Sequence, residues 1–176
     1  MSLSELFKAE YLDLNYGQLL QVAAECNVSV TEDEARCVEM ETRAQANSRL
    51  WFRMRTGRIT ASRFKSACRT NPALPSLSLI ISICHPEMTR FKSSATSWGC
   101  EHEKVAISKY LNVNLRMHQT FKVTECGLFI STSYPFMGAS PDGLVQCICC
   151  GEGICEVKVV AILAITYFLK FVTYFM

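Results

Sequence analysis

The stretch GASPDGLVQCICCGEGICEVKVV, residues 138–160, indicates the fold and the chemistry of this chain more clearly than any other segment. Its SPDG segment (140–143) is a strong turn signal, and the residues on either side have the composition of strands. Glu156 and Lys158 are two residues apart, so on a strand they point to the same face. Asp142 precedes Glu156 by 14 residues. A hairpin would therefore bring these two carboxylates side by side.

Two neighbouring carboxylates repel each other unless a cation lies between them, and oxygen ligands of this kind form Mg²⁺ sites. A lysine on the same face can orient or deprotonate a water molecule, or neutralise charge that develops on a phosphate. The arrangement therefore suits metal-dependent hydrolysis of a phosphodiester. The spacing by itself is also compatible with a solvated ion pair on a hairpin.

Helices are predicted in the first part of the chain. Thr31 is a candidate N-cap, and Glu34 completes a capping box with it. Nothing in the sequence breaks the helix that follows, so we expect it to run from residue 32 to about 54 and to end at Gly57.

The middle and the end of the chain predict one more long helix and then strands. Residues 77–84 are apolar and fit a helix or a strand, while residues 93–112 have the pattern of a helix. Strands are expected in residues 121–133, 136–149 and 154–163. Helices followed by a meander of strands indicate a mixed α/β or α+β fold.

Length and charge limit the possible functions. The chain has 176 residues, the size of one compact domain, and 49% of them are apolar, which excludes a disordered protein. The net charge of +2 predicts no partner. Residues 51–86, however, contain six basic residues and no acidic residue, which indicates one anion-facing surface. Thr60 or Ser62 could cap a short helix within this basic stretch.

The ten cysteines are expected to be reduced, because the N-terminus has no apolar segment typical of a signal peptide. An intracellular protein is the corresponding expectation, with nucleus and cytoplasm not distinguished. Residues 159–176 carry one charge and just reach the length of a membrane span. We expect them to form a buried strand or helix instead, so a membrane partner is disfavoured.

A second possible metal site is a group of four cysteines, Cys147, Cys149, Cys150 and Cys155. Four thiolates can bind zinc, but adjacent cysteines on a strand point in opposite directions. Reduced cysteines in a hairpin are therefore the preferred interpretation. His118 has no partner pattern in the sequence.

Four separated segments carry a family resemblance, and they occur in a fixed order: WFRMRTGRITASRF (51–64), WGCEHEKVA (98–106), GASPDGLV (138–145) and CEVK (155–158). Together they resemble the YqaJ-type viral recombinases, the family of phage lambda exonuclease, within the PD-(D/E)XK nuclease superfamily. The resemblance runs from about residue 40 to residue 158.

The resemblance implies an α/β (α+β) fold with a restriction-endonuclease-like PD-(D/E)XK core, in which helices pack on a central mixed sheet. The expected organisation is an N-terminal helical region (1–46), the nuclease domain (47–160) and a hydrophobic tail (161–176). The family pattern is not followed beyond Lys158, so we expect the C-terminal part of the fold to be missing.

The resemblance also implies a catalytic site made of Asp142, Glu156, the backbone carbonyl of Val157, Lys158 and Glu103. Asp142, Glu156 and the carbonyl would be metal ligands, and Lys158 would be the catalytic lysine. Glu103 matches the acidic residue that the family carries on a helix. Glu101 is the alternative at this position, and the spacing to Ala106 favours Glu103.

Arg55 and Ser62 match residues that hold the 5′-terminal phosphate in lambda-type enzymes, and Arg58 and Thr60 complete the candidate DNA-binding set. Arg55 could instead be an ordinary cation at a helix end, and Ser62 could be only a helix cap. Their position in the acid-free basic stretch agrees with the phosphate-binding interpretation.

The function that this resemblance implies is 5′→3′ exonuclease activity on linear duplex DNA, in recombination or in mobile-element DNA processing. Two Mg²⁺ or Mn²⁺ ions would be the cofactors, and double-stranded DNA ends would be the partner. A homo-oligomeric ring is expected if the fold is complete. The alternative is a truncated, catalytically inactive relative that acts as a DNA- or protein-binding module.

Overall fold

The computed structural model describes residues 2–88, 94–162 and 166–175, and for residues 94–97, 99–101, 158–162 and 166–175 it describes the backbone alone. Within these residues the α-helices are Tyr16–Glu25 (α1), Glu32–Glu41 (α2), Arg49–Arg55 (α3), Ala61–Arg69 (α4), Leu77–Cys84 (α5) and Ser94–Asn114 (α6). The strands are Ile59–Thr60 (β1), Lys122–Thr124 (β2), Phe129–Ile130 (β3), Met137–Ala139 (β4), Gly143–Cys147 (β5), Gly151–Ile162 (β6) and Thr166–Phe175 (β7). No helix in the described ranges is long and apolar enough to cross a membrane.

Helix α2 begins as predicted and ends earlier than predicted. Thr31 and Glu34 form the capping box. The expected continuous helix to residue 54 is wrong, because α2 ends at Glu41 and α3 starts at Arg49. The Thr42 hydroxyl donates to the Val38 carbonyl oxygen at 2.6 Å and accepts the Leu128 N–H at 2.8 Å. Thr42 therefore joins the end of α2 to a distant segment, and this contact replaces the continuation of the helix.

The first of two compact units contains residues 2–88 and 127–140. Its sheet is mixed and has the order β1-β4-β3, with β1 parallel and β3 antiparallel to β4. The core consists of Val30, Val38, Leu128 and Ile130, against which Ala35, Trp51 and Met54 pack. Gly127 lies so close to the Glu39 carbonyl oxygen and the Thr42 hydroxyl that a Cβ atom would collide with both.

The second unit contains residues 94–126, 141–162 and 166–175. Its antiparallel sheet has the order β2-β5-β6-β7. In the central hairpin Gly143 pairs with Cys155 and Cys147 pairs with Gly151. The core consists of Phe121, Val145, Cys147 and Cys155, with Tyr110, Leu111 and Val123 packed against it.

The α+β fold class is confirmed, with the strands divided between a mixed and an antiparallel sheet. The segment 77–84, left open by its pattern, is helix α5. Part of the predicted hydrophobic tail is strand β7, which pairs with β6 from Gly153↔Phe175 to Ile162↔Thr166. Residues 163–165 and 176 of that tail lie outside the described residues.

Candidate active site

The β5–β6 hairpin places Asp142 beside Glu156. Asp142 directly precedes β5, and the pairing of Gly143 with Cys155 puts it opposite Glu156 on β6. The Val157 N–H donates to the Asp142 carboxylate (Oδ2) at 2.6 Å, which fixes the orientation of this side chain. A Cβ atom on Gly143 would approach the Cys155 sulfur to 3.0 Å. Gly143, the last residue of the SPDG segment and the first of β5, therefore allows the two strands to approach each other next to the carboxylates.

Glu103 on α6 belongs to the same group of charges. Burial raises the pKa of Glu103, and the negative charges of Asp142 and Glu156 raise it further. Lys104 acts in the opposite direction without cancelling these effects. Asp142 and Glu156 both lie within electrostatic range of Glu103, so we call these three residues the carboxylate cluster.

The surroundings of the carboxylate cluster disfavour negative charge. Burial raises the pKa of Asp142, although the hydrogen bond from the Val157 N–H opposes the shift. Burial also raises the pKa of the neighbouring Cys155 thiol to about 11, and all three carboxylates act in the same direction. Cys155 is thus a neutral core thiol and not a nucleophile at neutral pH.

The structure brings together three of the side chains predicted for catalysis, Glu103, Asp142 and Glu156, with the Val157 backbone next to them. The side chains of Lys158 and of Glu101 lie outside the described part of the structure. The backbone of Lys158 continues β6 two residues after Glu156 and pairs with Lys170.

A second group of predicted residues surrounds Arg55 in the first unit. The Arg55 guanidinium carbon lies 4.0 Å from the centre of the Trp51 ring, as in a cation–π pair. The Trp51 indole N–H donates to the Ser140 hydroxyl at 2.9 Å, which holds the ring in place. Arg55 Nη2 is 3.5 Å from the Thr60 hydroxyl, which is 3.2 Å from the Ser62 hydroxyl. We call Arg55, Thr60 and Ser62 the Arg55 cluster.

The positive charge of Arg55 is poorly compensated. Its Nε atom is buried, and no hydrogen-bond acceptor for it is found among the described residues. Burial lowers the pKa of the Arg55 guanidinium to about 10, and the positive charge of Arg63 acts in the same direction. Thr60 occupies the N-cap position of α4 but makes no side-chain capping bond. An anion at this point would compensate the guanidinium charge and the positive end of the helix.

Arg58, which we predicted to contact DNA, has a different environment. Its side chain is 1% exposed, and it donates from Nε to the Pro135 carbonyl oxygen at 2.9 Å and from Nη1 to the Met54 carbonyl oxygen. A buried guanidinium that holds two backbone segments together has a structural role. This burial argues against the DNA contact predicted for Arg58.

The cysteine group differs from the predicted one. The sulfur atoms of Cys147, Cys149 and Cys150 converge with a ring nitrogen of His118, and all four donor atoms lie within 4.8 Å of one another. Cys155, the fourth predicted member, instead lies in the core of the second unit. Sequence reasoning missed His118 because it precedes Cys147 by 29 residues, and a single distant histidine is a weak signal.

Comparison with known families shows which family the chain belongs to. The model of the YqaJ-like viral recombinase domain matches residues 50–170, which is more than half of the sequence. The chain belongs to this family. Members of the YqaJ-like family are nucleases, so the match supports a nuclease that acts on DNA in recombination. No curated protein and no solved structure matches the chain.

The family match also corrects one expectation. We predicted that the resemblance to the YqaJ-like proteins ends at Lys158, yet the matched residues continue to 170. They therefore include the rest of β6 and part of β7. The sequence does not reveal this continuation, because the hydrophobic pattern of these strands carries no charged or turn-forming motif that identifies the family.

Proposed function

We propose that this chain is a Mg²⁺-dependent exonuclease that degrades linear duplex DNA in the 5′→3′ direction during recombination or mobile-element DNA processing. The observation that carries the proposal is the carboxylate cluster. It gathers one acidic side chain from α6, one from the residue before β5 and one from β6; Glu103 and Asp142 are half-buried and Glu156 is exposed.

The composition of the cluster fits a divalent cation. Burial raises the pKa of Glu103, and the negative charges of Asp142 and Glu156 raise it further, which is the expected result when the compensating positive charge is insufficient. Carboxylate and carbonyl oxygens are hard donors that Mg²⁺ and Mn²⁺ prefer. We assign Asp142, Glu156, Glu103 and the Val157 carbonyl oxygen as the ligands of two such ions. When bound, the ions would neutralise phosphate charge and lower the pKa of the attacking water.

The chain's own residues would perform the remaining tasks. Asp142 is held by the Val157 N–H through one oxygen, so its carboxylate is already oriented before any ligand arrives. Lys158 lies two residues after Glu156 in β6, and the resemblance implies it as the catalytic lysine. We assign to it the positioning of the attacking water and the stabilisation of charge on the phosphate.

The Arg55 cluster supplies the preference for a DNA end. A terminal 5′-phosphate carries up to two negative charges, and an arginine can bind it through two parallel hydrogen bonds. The guanidinium of Arg55 has no acceptor for its buried Nε atom among the described residues, and the Ser62 hydroxyl of the same cluster is exposed. We therefore propose that Arg55 and Ser62 bind the 5′-phosphate, with Thr60 as a buried support. The ring assembly that the resemblance implies stays a prediction.

The test uses the purified chain, Mg²⁺ and three duplex substrates: a linear duplex with 5′-phosphates, the same duplex with 5′-hydroxyls, and a covalently closed circle. We expect the phosphorylated linear duplex to be degraded fastest, a 5′-label to be released before a 3′-label, and the circle to resist. Binding of DNA ends without cleavage at any Mg²⁺ or Mn²⁺ concentration would contradict the proposal and favour the inactive relative.

A further inference from the structure

Four metal-binding side chains converge at a place that the carboxylate cluster does not include. They are His118, which lies between α6 and β2, and Cys147, Cys149 and Cys150 at the β5–β6 turn. Cys147 is buried, His118 is half-buried and the other two cysteines are exposed.

The distances between the donor atoms resemble the edges of a tetrahedron. His118 Nδ1 lies 3.2 Å from the sulfur of Cys149, 3.5 Å from that of Cys150 and 3.7 Å from that of Cys147. The Cys149 sulfur lies 3.5 Å from the Cys147 sulfur and 3.7 Å from the Cys150 sulfur. Zinc with bonds of about 2.3 Å to sulfur and about 2.0–2.1 Å to nitrogen needs edges of about 3.8 Å and 3.6 Å. These five of the six edges lie within about 0.4 Å of the zinc values, and the sixth, between the sulfur atoms of Cys147 and Cys150, is no longer than 4.8 Å.

The fold itself produces this convergence. Cys147 is the last residue of β5 and pairs with Gly151, the first residue of β6. Gly151 has φ +84°, which allows the chain to reverse after a three-residue turn. The Ile148 N–H in this turn donates to the Gln119 carbonyl oxygen at 3.1 Å. This bond brings the turn against the segment that carries His118.

The position of the cysteines in a turn removes the objection raised from the sequence. On a strand Cys149 and Cys150 would point in opposite directions, but residues 148–150 lie between β5 and β6 and are not part of either strand. Their sulfur atoms are 3.7 Å apart and both approach His118. The cysteines that the structure describes are all free thiols, so no disulfide competes for these ligands.

We propose that His118, Cys147, Cys149 and Cys150 bind one zinc ion. Three thiolates and one imidazole are a typical donor set for structural zinc, and four protein ligands leave no coordination position for a substrate. The ion would fasten the end of α6 to the β5–β6 turn. If the proposed function is correct, it thereby holds together the two elements that carry Glu103 and the Asp142–Glu156 pair.

The first experiment measures the metal content of the full chain, purified under reducing conditions without chelator, by elemental mass spectrometry. We expect one zinc per chain, with a loss of tenfold or more in Cys149→Ser and in His118→Asn. Cys37→Ser is the matched control, because Cys37 is an exposed free thiol on α2 in the other unit. It should retain the zinc of the parent chain.

The second experiment begins with the parent chain alone, so its first readout does not depend on how well the variants fold. The parent chain, refolded with Co²⁺ in place of zinc, should show thiolate-to-cobalt charge-transfer bands and the intense visible bands of tetrahedral cobalt.

A further readout is the melting temperature. Removal of zinc with a chelator should lower the melting temperature of the parent chain and of Cys37→Ser. It should leave the melting temperature of Cys149→Ser unchanged.

A folded parent chain without zinc would overturn the proposal, as would full zinc content in both ligand variants or a disulfide among the three cysteines. Iron at the same stoichiometry would overturn the assignment to zinc. Asp142→Ala separates this proposal from the nuclease proposal. That variant should lose cleavage and retain zinc, because Asp142 is not one of the proposed zinc ligands. A parent chain that binds zinc and does not cleave DNA would contradict only the nuclease proposal.

Discussion

The carboxylate cluster and the Arg55 cluster carry opposite charges, but in both of them burial and neighbouring like charges disfavour the charged form of one residue. One gathers three acids, of which Glu103 and Asp142 are half-buried, and burial with the neighbouring acids raises the pKa of Glu103. The other buries a guanidinium, and burial with a neighbouring arginine lowers the pKa of Arg55. In both cases the protein holds like charges together where water is scarce. Each cluster therefore favours a ligand of the opposite charge, a cation in the first and an anion in the second.

Glu39 shows what a purely structural buried charge looks like in the same chain. Burial raises the pKa of Glu39, but hydrogen bonds from Arg43 and from the Gly127 N–H outweigh this effect and lower it. Its carboxylate is thus fully compensated within the protein, as is expected of a residue that only joins parts of the fold. The pKa of Glu103 is instead raised, because its charge has no comparable compensation among the described residues. The opposite pKa shifts therefore distinguish a structural carboxylate from one that favours binding of a cation.

Removal of Asp142 should have the largest effect. Without this carboxylate the cation loses a ligand and its orientation, so we expect Asp142→Ala to cleave phosphorylated linear duplex at least about a thousandfold more slowly, which corresponds to about 4 kcal/mol. The control is Glu152→Gln, which changes an exposed carboxylate on β6 that accepts a hydrogen bond from the Gln146 side chain. It should keep the parent rate. Equal rates for parent and Asp142→Ala would refute the metal site.

The next largest effect concerns the free energy of unfolding, which should distinguish Arg58 from Arg53. Arg58→Ala leaves the Pro135 and Met54 carbonyl oxygens without this donor and empties a buried volume, so unfolding by urea should need about 2–4 kcal/mol less free energy. Arg53→Ala, an exposed residue of α3 paired with Glu5, should change it by about 0.5 kcal/mol or less. If both variants unfold alike, the structural role of Arg58 is wrong.

Arg55→Ala tests the anion side of the comparison. The loss of charge-assisted hydrogen bonds worth roughly 1.5–3 kcal/mol should slow digestion of 5′-phosphorylated ends by about ten- to a hundredfold. Digestion of 5′-hydroxyl ends should change much less, because the terminal phosphate is absent from that substrate.

The measured quantity is the ratio of the two rates in Arg55→Ala, in Arg53→Ala and in the parent chain. Arg53→Ala should keep the parent ratio. An equal slowing of both substrates by Arg55→Ala would make Arg55 a general backbone contact or a structural residue, and the role in binding the 5′-phosphate would be lost.

The smallest effect concerns pH and the cation. Because the pKa of Glu103 is raised in the folded state, the folded state binds this proton more tightly than the unfolded state does. The corresponding stability is fully present below the ordinary pKa of a glutamate and is lost as the pH rises through the raised value.

Glu103→Gln should therefore melt at a higher temperature than the parent at neutral pH in Mg²⁺-free buffer, and the difference should shrink at acidic pH. Added Mg²⁺ should raise the melting temperature of the parent more than that of the variant. A variant that melts below the parent at neutral pH would show that the carboxylate stabilises the fold, contrary to the proposed repulsion.

Much of the site was predictable because local signals encode it. The strand pattern around Asp142 and Glu156 predicts a hairpin with both acids at one place, and the pairing of Gly143 with Cys155 agrees. The turn of this hairpin lies at residues 148–150 and not at SPDG (140–143), which precedes β5. The capping box at Thr31 was equally readable, since its two hydrogen bonds join residues three positions apart.

Local sequence patterns were enough to predict the α+β class, the elements that carry the acids and the family, because turns, caps and strand alternation depend on neighbouring residues. Three other features became visible in the tertiary structure alone: α2 stops at Glu41 with Thr42 as its C-cap, Arg58 is buried, and His118 lies beside the cysteines. All three depend on distant partners: Thr42 contacts a residue 86 positions away, Arg58 one 77 positions away and His118 one 29 positions away. Burial and long-range contacts follow from how the whole chain packs, and no local pattern of residues specifies them.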